Sequence, residues 1–227
     1  MTVSVVIPTL NEAAQIEATL YSVRKQPGPV EVLVVDGGST DNTVAHAAAH
    51  ARVIEAPRGR ARQMNAGAAE AIGDVLLFLH ADTHLPDGAL DAVRASFAEP
   101  GVSAGCFRTT FDAEGFWMRL WSLRLWMRWH RFAFGDRAPF VRREAFDAIG
   151  GFPEQPIFED LELVRRLRRQ GRFVFLDDAV VTSARRYRRH GAVGQQLRNL
   201  ALWSAWNLRL PPTWFKRFYP DAPGERG

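Results

Sequence analysis

The sequence predicts an α/β domain with a mostly parallel central sheet and helices on both faces. Three observations carry that reading. Short apolar runs alternate with helix-period segments over roughly the first hundred residues. The runs beginning at Val3, Val30 and Val75 are nearly continuous in Val, Ile and Leu, as in strands covered on both sides. The carboxyl ends of the same runs carry Pro8-Thr9-Leu10-Asn11-Glu12, Asp36-Gly37-Gly38-Ser39 and His80-Ala81-Asp82, and open α/β sheets bind ligands beyond such ends.

Each element follows from local signals. Val3 to Ile7 is a β-branched run stopped by Pro8. Asn11-Glu12 opens a helical pattern in which Ile16, Leu20 and Val23 recur, ending near Lys25 before Pro27-Gly28-Pro29. Val30 to Val35 is the second strand. Ser39-Thr40-Asp41 offers caps to a helix reaching about Ala51. Val53-Ile54 is a short third strand, Arg60 to Ile72 a helix ended by Gly73, and Asp74 to Leu79 the fourth strand. Pro86 sits just inside a helix through about Phe97. The second half is less regular. Strands are expected over Gly105 to Phe111, Ala138 to Arg142, Phe173 to Leu176 and Ala179 to Val181. Helices are expected over Phe116 to Phe132, Arg143 to Ile149 and Phe158 to Gln170. Arg185 to Leu210 holds a basic cluster and then an apolar helix.

A chain of 227 residues with 47% apolar and 24% charged residues buries a sizeable core, which excludes disorder outside Pro220 to Gly227. The net charge is +4, and Lys25 and Lys216 are the only lysines. Arginine suits phosphate oxyanions, although most of these residues read as a solvated surface. Cys106 is the single cysteine, which excludes an intrachain disulfide and a cysteine zinc site and reads as a packed strand residue. His46, His50 and His84 read as surface or loop residues. No secretory signal and no uncharged apolar run near the ~20 residues of a membrane span is present. The expected location is the cytoplasm, either free or at the inner face of the membrane.

The strand tips carry the candidate chemistry. Asp36, beside two glycines that admit a ligand to the backbone, suits hydrogen bonds from a nucleobase or ribose; it also suits a simple turn. Asp82, with His80 on the same side of the strand, suits a divalent cation with open positions for phosphate oxygens; it also suits a cap on the next turn.

Ser4-Val5-Val6-Ile7-Pro8-Thr9-Leu10-Asn11-Glu12, Val34-Val35-Asp36-Gly37-Gly38-Ser39-Thr40-Asp41 and Phe78-Leu79-His80-Ala81-Asp82 resemble, in order and spacing, family 2 of the inverting glycosyltransferases. Gly150-Gly151-Phe152 followed by Phe158-Glu159-Asp160 resembles that family's acceptor-side motif. The motifs span roughly residues 3 to 165. The resemblance implies a GT-A-type fold and sugar transfer from a nucleoside-diphosphate sugar, assisted by Mg2+ or Mn2+. It implies Asp82 as metal ligand and Asp160 as general base. Pro8, Thr9, Glu12, Asp36, Arg60, Arg62, His80 and Asp82 would line the nucleotide-sugar site. It divides one domain, 1–227, into a nucleotide half (1–100), an acceptor half (101–190) and a helical extension (191–227). His80 departs from the family's Asp-x-Asp and is a poorer magnesium ligand than a carboxylate. Gly37 stands where many relatives carry a second aspartate.

The run Arg185-Arg186-Tyr187-Arg188-Arg189-His190 falls where related enzymes reach the diphosphate, so Arg185 and Arg188 join the expected site; a solvated basic turn is the alternative. No nucleic-acid partner is expected, because no RNA- or DNA-binding signature accompanies the charge. The Trp/Arg-rich stretches at 116–132 and 200–218 suit a lipid-linked acceptor or peripheral membrane contact, or else an aromatic core helix or acceptor-pocket wall. Two rival functions remain beside sugar transfer. One is a nucleotidyltransferase acting on a sugar phosphate; the other is a non-catalytic module that binds sugar nucleotides or membranes.

Overall fold

A computed structural model describes residues 1–112, 135–155, 157–185 and 192–208. Its strands are β1 (Val3–Thr9), β2 (Val30–Asp36), β3 (Arg52–Glu55), β4 (Val75–Phe78), β5 (Thr83–His84), β6 (Val102–Phe111), β7 (Phe140–Arg142) and β8 (Arg172–Thr182). Its helices are α1 (Ile16–Arg24), α2 (Thr43–Ala48), α3 (Arg60–Glu70), α4 (Ala89–Ser96), α5 (Arg143–Ala148), α6 (Glu159–Leu167) and α7 (Ala192–Asn207). A 3-10 turn occupies Gly135–Arg137.

Among the described residues the strands form one sheet in the order β3-β2-β1-β4-β7-β6-β8-β5. β1 pairs in parallel with β2 and with β4, and β2 with β3, so the first half is parallel as expected. β7 runs antiparallel to β4 and β6, β8 is parallel to β6, and β5 is antiparallel to β8. The sheet is therefore mixed beyond β4.

Alternation along each strand sorts the core into two layers. Val3, Val5 and Ile7 face one side, where Ile16, Leu20 and Val23 of α1 and Leu90 and Val93 of α4 cover them. Val6, Leu33 and Leu76 face the other side, against Met64 and Ala68 of α3, Phe146 of α5 and Leu163 and Leu167 of α6. Gly67 lets α3 lie close to the sheet: a Cβ there would meet Val6 Cγ1 at 2.4 Å. Cys106 is buried in β6; burial pushes its thiol up to about 12 against the opposing Arg137 guanidinium, leaving an inert packed residue.

Several boundaries differ from expectation. α1 begins at Ile16 rather than near Asn11, because Asn11 adopts a left-handed φ of 55°. The helix after Pro86 starts only at Ala89. His84 belongs to the two-residue β5 and is half-buried rather than a loop residue. β8 is continuous where two strands were expected. The register shifts between Cys106, paired with Phe175, and Arg108, paired with Ala179, so Asp177 and Asp178 sit in an irregularity within one strand. The helix expected over 116–132 lies outside the described residues. Within them, no helix is long and apolar enough to cross a membrane.

Candidate active site

β1 lies between β2 and β4, so the chain leaves it in one direction and returns on its other side. That is the switch point at which α/β sheets open a crevice. Pro8 lies two residues past the last bridge residue before β1 and β4 part, Val6, which pairs with Phe78 and whose carbonyl accepts from the Leu79 amide at 3.0 Å. Thr9 sits beside Asp36 at the adjoining tips of β1 and β2. The Thr9 hydroxyl donates to Asp36 Oδ1 at 3.2 Å, and the Gly38 and Ser39 amides donate to Oδ2 at 2.9 and 2.8 Å. Asp36 is thus both a turn acid and a tip carboxylate, buried to 3% exposure. Gln63 of α3 locks the two tips together, donating through Nε2 to the Thr9 and Val35 carbonyls at 2.8 Å each. A Cβ at Gly37 would stand 3.0 Å from the Gln63 amide, so an aspartate there would crowd Gln63.

The turn after β1 is tied down residue by residue. Asn11 Oδ1 accepts from the Thr40 amide at 2.8 Å, and Ser39 Oγ accepts from the Asn11 amide at 2.9 Å. The Glu12 amide donates to Thr43 Oγ1 at 2.8 Å. Burial pushes the Asp41 carboxyl up, but the Thr43 hydroxyl and the Thr43 and Ala13 amides outweigh it and hold it below the usual range.

The loop after β4 is fastened to α1. Thr19 Oγ1 donates to the Ala81 carbonyl at 2.7 Å, the Leu85 amide donates to Ser22 Oγ at 3.1 Å, and Gln26 Nε2 donates to the Pro86 carbonyl at 2.9 Å. On its other side, β5 pairs with the end of β8, and the Ser183 amide donates to the Asp82 carbonyl at 3.1 Å. This pairing delivers Arg185 to the crevice. Its Nη2 donates to both Glu12 carboxylate oxygens at 2.9 and 3.1 Å and stands 3.8 Å from Asp82 Oδ2.

The opposite wall comes from the second half of the chain. Gly150 and Gly151 take left-handed φ values of 72° and 73°, turning the chain after α5. Asn65 of α3 grips that turn through Phe152: its Nδ2 donates to the Phe152 carbonyl and its Oδ1 accepts from the Phe152 amide, each at 2.9 Å. The Phe152 ring packs edge-on against Phe78 at 4.7 Å. Then α6 begins, with Glu159 and Asp160 buried in its first turn. Asp160 Oδ1 accepts from the Leu161 amide at 2.7 Å, an anion-stabilising contact at a helix start. Glu159 stands 3.6 Å from Arg60. Asp136, in the 3-10 turn, lies between the two walls. Burial pushes its carboxyl up, Arg137 and Arg60 pull it down, and the Asp82 charge raises it again.

Charges therefore run from Glu12 through Arg185, Asp82, Asp136 and Arg60 to Glu159, joining the strand tips to the start of α6. The expected residues Glu12, Asp82, Arg60 and Arg185 belong to that line, and His80 immediately precedes the Asp82 turn. Arg62 instead pairs with Glu154 at 2.8 Å, on the exposed side of the 152–155 loop. Arg188 lies outside the described residues. Gln63, Asn65 and Asp136 were not expected. For Asp136 the Gly135-Asp136 pair before a strand was the one available signal. Within the described residues, no group of three or more His, Cys, Asp or Glu is arranged to hold a metal ion.

Residues 4–153 match the family model for glycosyl transferase family 2. The chain belongs to that family. Among curated relatives of this family 2 member, the beta-monoglucosyldiacylglycerol synthase of Synechocystis sp. is 31% identical over 159 residues, covering 60% of this chain and 33% of the relative. The Nostoc sp. protein of the same name is 28% identical and covers 73% and 41% respectively. The chain thus spans less than half the length of these relatives. Among solved structures, Staphylococcus aureus TarS 1-349 superposes with TM-score 0.68 at 20% identity, covering 90% of this chain and 66% of that one. The mannosyltransferase PcManGT from Pyrobaculum calidifontis, in complex with GDP-Man and Mn2+, gives 0.67 at 24% identity, covering 95% and 67%. These similarities show the GT-A-type glycosyltransferase fold.

Proposed function

We propose that this family 2 member transfers a sugar from a nucleoside-diphosphate sugar to an acceptor hydroxyl, with inversion, assisted by a divalent cation. The observation that carries the reading is the single line of charge linking Asp82, in the loop after β4, to Glu159 at the start of α6, next to Asp160. Donor and acceptor machinery in such a reaction must flank one bond. Structural neighbours crystallised with UDP-GlcNAc and with GDP-Man support the donor class.

The chemistry maps onto the walls. Asp36, Thr9 and Pro8 line the nucleotide side, with the Asp36 carboxylate facing hydroxyl or N–H donors of the nucleoside. Asp82 would hold Mg2+ or Mn2+. One carboxylate opposite a second, Asp136, fits a hard cation that takes its other oxygens from diphosphate and water, and repulsion between the two acids favours a positive charge there. Bound, the cation neutralises charge on the leaving diphosphate. Arg185 turns toward the same oxyanions. Asp160 accepts the acceptor hydroxyl's proton while that oxygen attacks the anomeric carbon. The bond to the diphosphate breaks on the opposite face, and its electron pair leaves with the nucleotide. Leu202 of α7 packs in a buried cluster with Phe158 and Leu161 beside Asp160, and the partly buried Trp203 and Trp206 at its edge would suit contact with a lipid-linked acceptor. The names of the glucosyldiacylglycerol synthases support that class.

The test is product analysis. The protein is incubated with UDP-GlcNAc or GDP-Man, Mn2+ and detergent-dispersed diacylglycerol. The expected product carries the sugar, without nucleotide, in the inverted configuration by NMR. Asp160→Asn keeps donor affinity by calorimetry and loses turnover by about 100-fold or more. Normal turnover in that variant rules out the base, and a nucleotide-bearing product rules out sugar transfer.

A further inference from the structure

We propose that Arg185 occupies the cation's electrostatic place on Asp82 until a diphosphate draws it away, with Glu12 as the residue that positions it. The inference rests on the metal-assisted reading above. One guanidinium nitrogen, Nη2, serves both carboxylates: 2.9 and 3.1 Å to Glu12, 3.8 Å to Asp82. Glu12 and Arg185 are 173 residues apart, so this contact exists only because β5 and β8 pair and the Asp82 loop is tied to both. Asp82 and Glu12 are mostly buried, with side-chain exposures of 24% and 20%, whereas Arg185 is 52% exposed and free to swing on its long stem.

A cation on Asp82 and a guanidinium beside the same oxygen compete for one negative charge. A metal ion arriving alone must displace Arg185 and gains nothing for the arginine. A nucleoside diphosphate arriving with the metal offers Arg185 new oxyanions, in the bidentate geometry that arginine favours. Metal and nucleotide should therefore bind with positive coupling, and the coupling should pass through Arg185. The clasp also keeps two inward-facing acids neutralised in the empty crevice, where unpaired charge is costly.

The experiment titrates Mn2+ into the whole protein and follows free Mn2+ by electron paramagnetic resonance, with and without UDP. The Mn2+–UDP complex in buffer is subtracted. Wild type should bind Mn2+ weakly alone and about tenfold or more tightly with UDP. Arg185→Gln should bind Mn2+ alone at least about fivefold more tightly than wild type, bind UDP more weakly, and lose most of the coupling. Arg185→Lys keeps the charge and should stay within about twofold of wild type for Mn2+ alone. In Arg185→Gln/Asp82→Asn the gain should vanish, which assigns it to this carboxylate. Circular dichroism and melting verify that each variant is folded. If Arg185→Gln leaves the affinity for Mn2+ alone unchanged while UDP still enhances it in wild type, the clasp is wrong and the metal reading stands. If folded wild type binds no Mn2+ even with UDP or with GDP, both fail.

Discussion

At Gln63 a single buried amide donates to the Thr9 and Val35 carbonyls near the ends of β1 and β2 and so helps to fix the distance between Thr9 and Asp36. Replacing it with alanine removes one donor from each carbonyl, leaving the Gly37 amide on Thr9 at 3.0 Å and the Thr9 hydroxyl on Val35 at 3.4 Å, at a cost of about 0.5–1.5 kcal/mol for each lost bond. For a domain of this size that lowers Tm by roughly 3–10 °C in calorimetry. Nucleotide affinity should fall with it, because the two tips lose one of their ties; an unchanged Tm would show that the remaining donors hold the tips by themselves. Sequence reasoning singled out Asp36 and Asp82 because acids at or just past the ends of apolar strands are conspicuous. It missed Gln63 because a glutamine in a helix becomes informative only once the carbonyls opposite it are known. Arg62 was ambiguous for a related reason: at a helix start its stem reaches either the crevice or the neighbouring loop, and in this structure it pairs with Glu154 on that loop.

Among the elements, the turn at 150–152 ties the segment between α5 and α6 to α3. Gly151 has φ near +73°, and a Cβ there would stand 2.7 Å from Asn65 Oδ1. Gly151→Ala should therefore destabilise by about 1–3 kcal/mol, by strain and by pushing Asn65 off Phe152. Asn65→Ala removes the same two hydrogen bonds, so the double variant should cost clearly less than the sum of the singles in denaturant melts. Full additivity would mean the glycine and the asparagine act separately. The first four strands and their helices were legible because each is bounded by proline, glycine or a polar tip. β5 was not, since two residues carry no periodicity and exist as a strand only by pairing with β8. The Asp177-Asp178 pair hid the continuity of β8, because acids mid-strand read as a break unless the partner strand absorbs them as a bulge.

Across the whole molecule, the order β3-β2-β1-β4 opens the crevice, and the mixed half supplies the wall facing it. The motifs gave the class of this architecture; the antiparallel insertion of β7 followed from no local signal. Arginine had been read mainly as solvated surface, yet several of these side chains tie the backbone together. Arg143 donates to the carbonyls of Gly73, Ala68 and Ala71 at the end of α3, and Arg94 to those of Met1, Pro27 and Pro29. Positive charge near the crevice is therefore selective, concentrated in Arg60, Arg137 and Arg185 among acids. On the proposed reading, Asp82 holds a cation to which the donor's diphosphate binds. Calorimetric titration of UDP and GDP into wild type and Asp82→Ala, each with Mn2+ and with chelator, tests it most directly. Wild type should bind the right nucleotide only with Mn2+, and Asp82→Ala should bind it in neither condition; equal binding by wild type with metal and with chelator would show that no cation on Asp82 bridges protein and diphosphate.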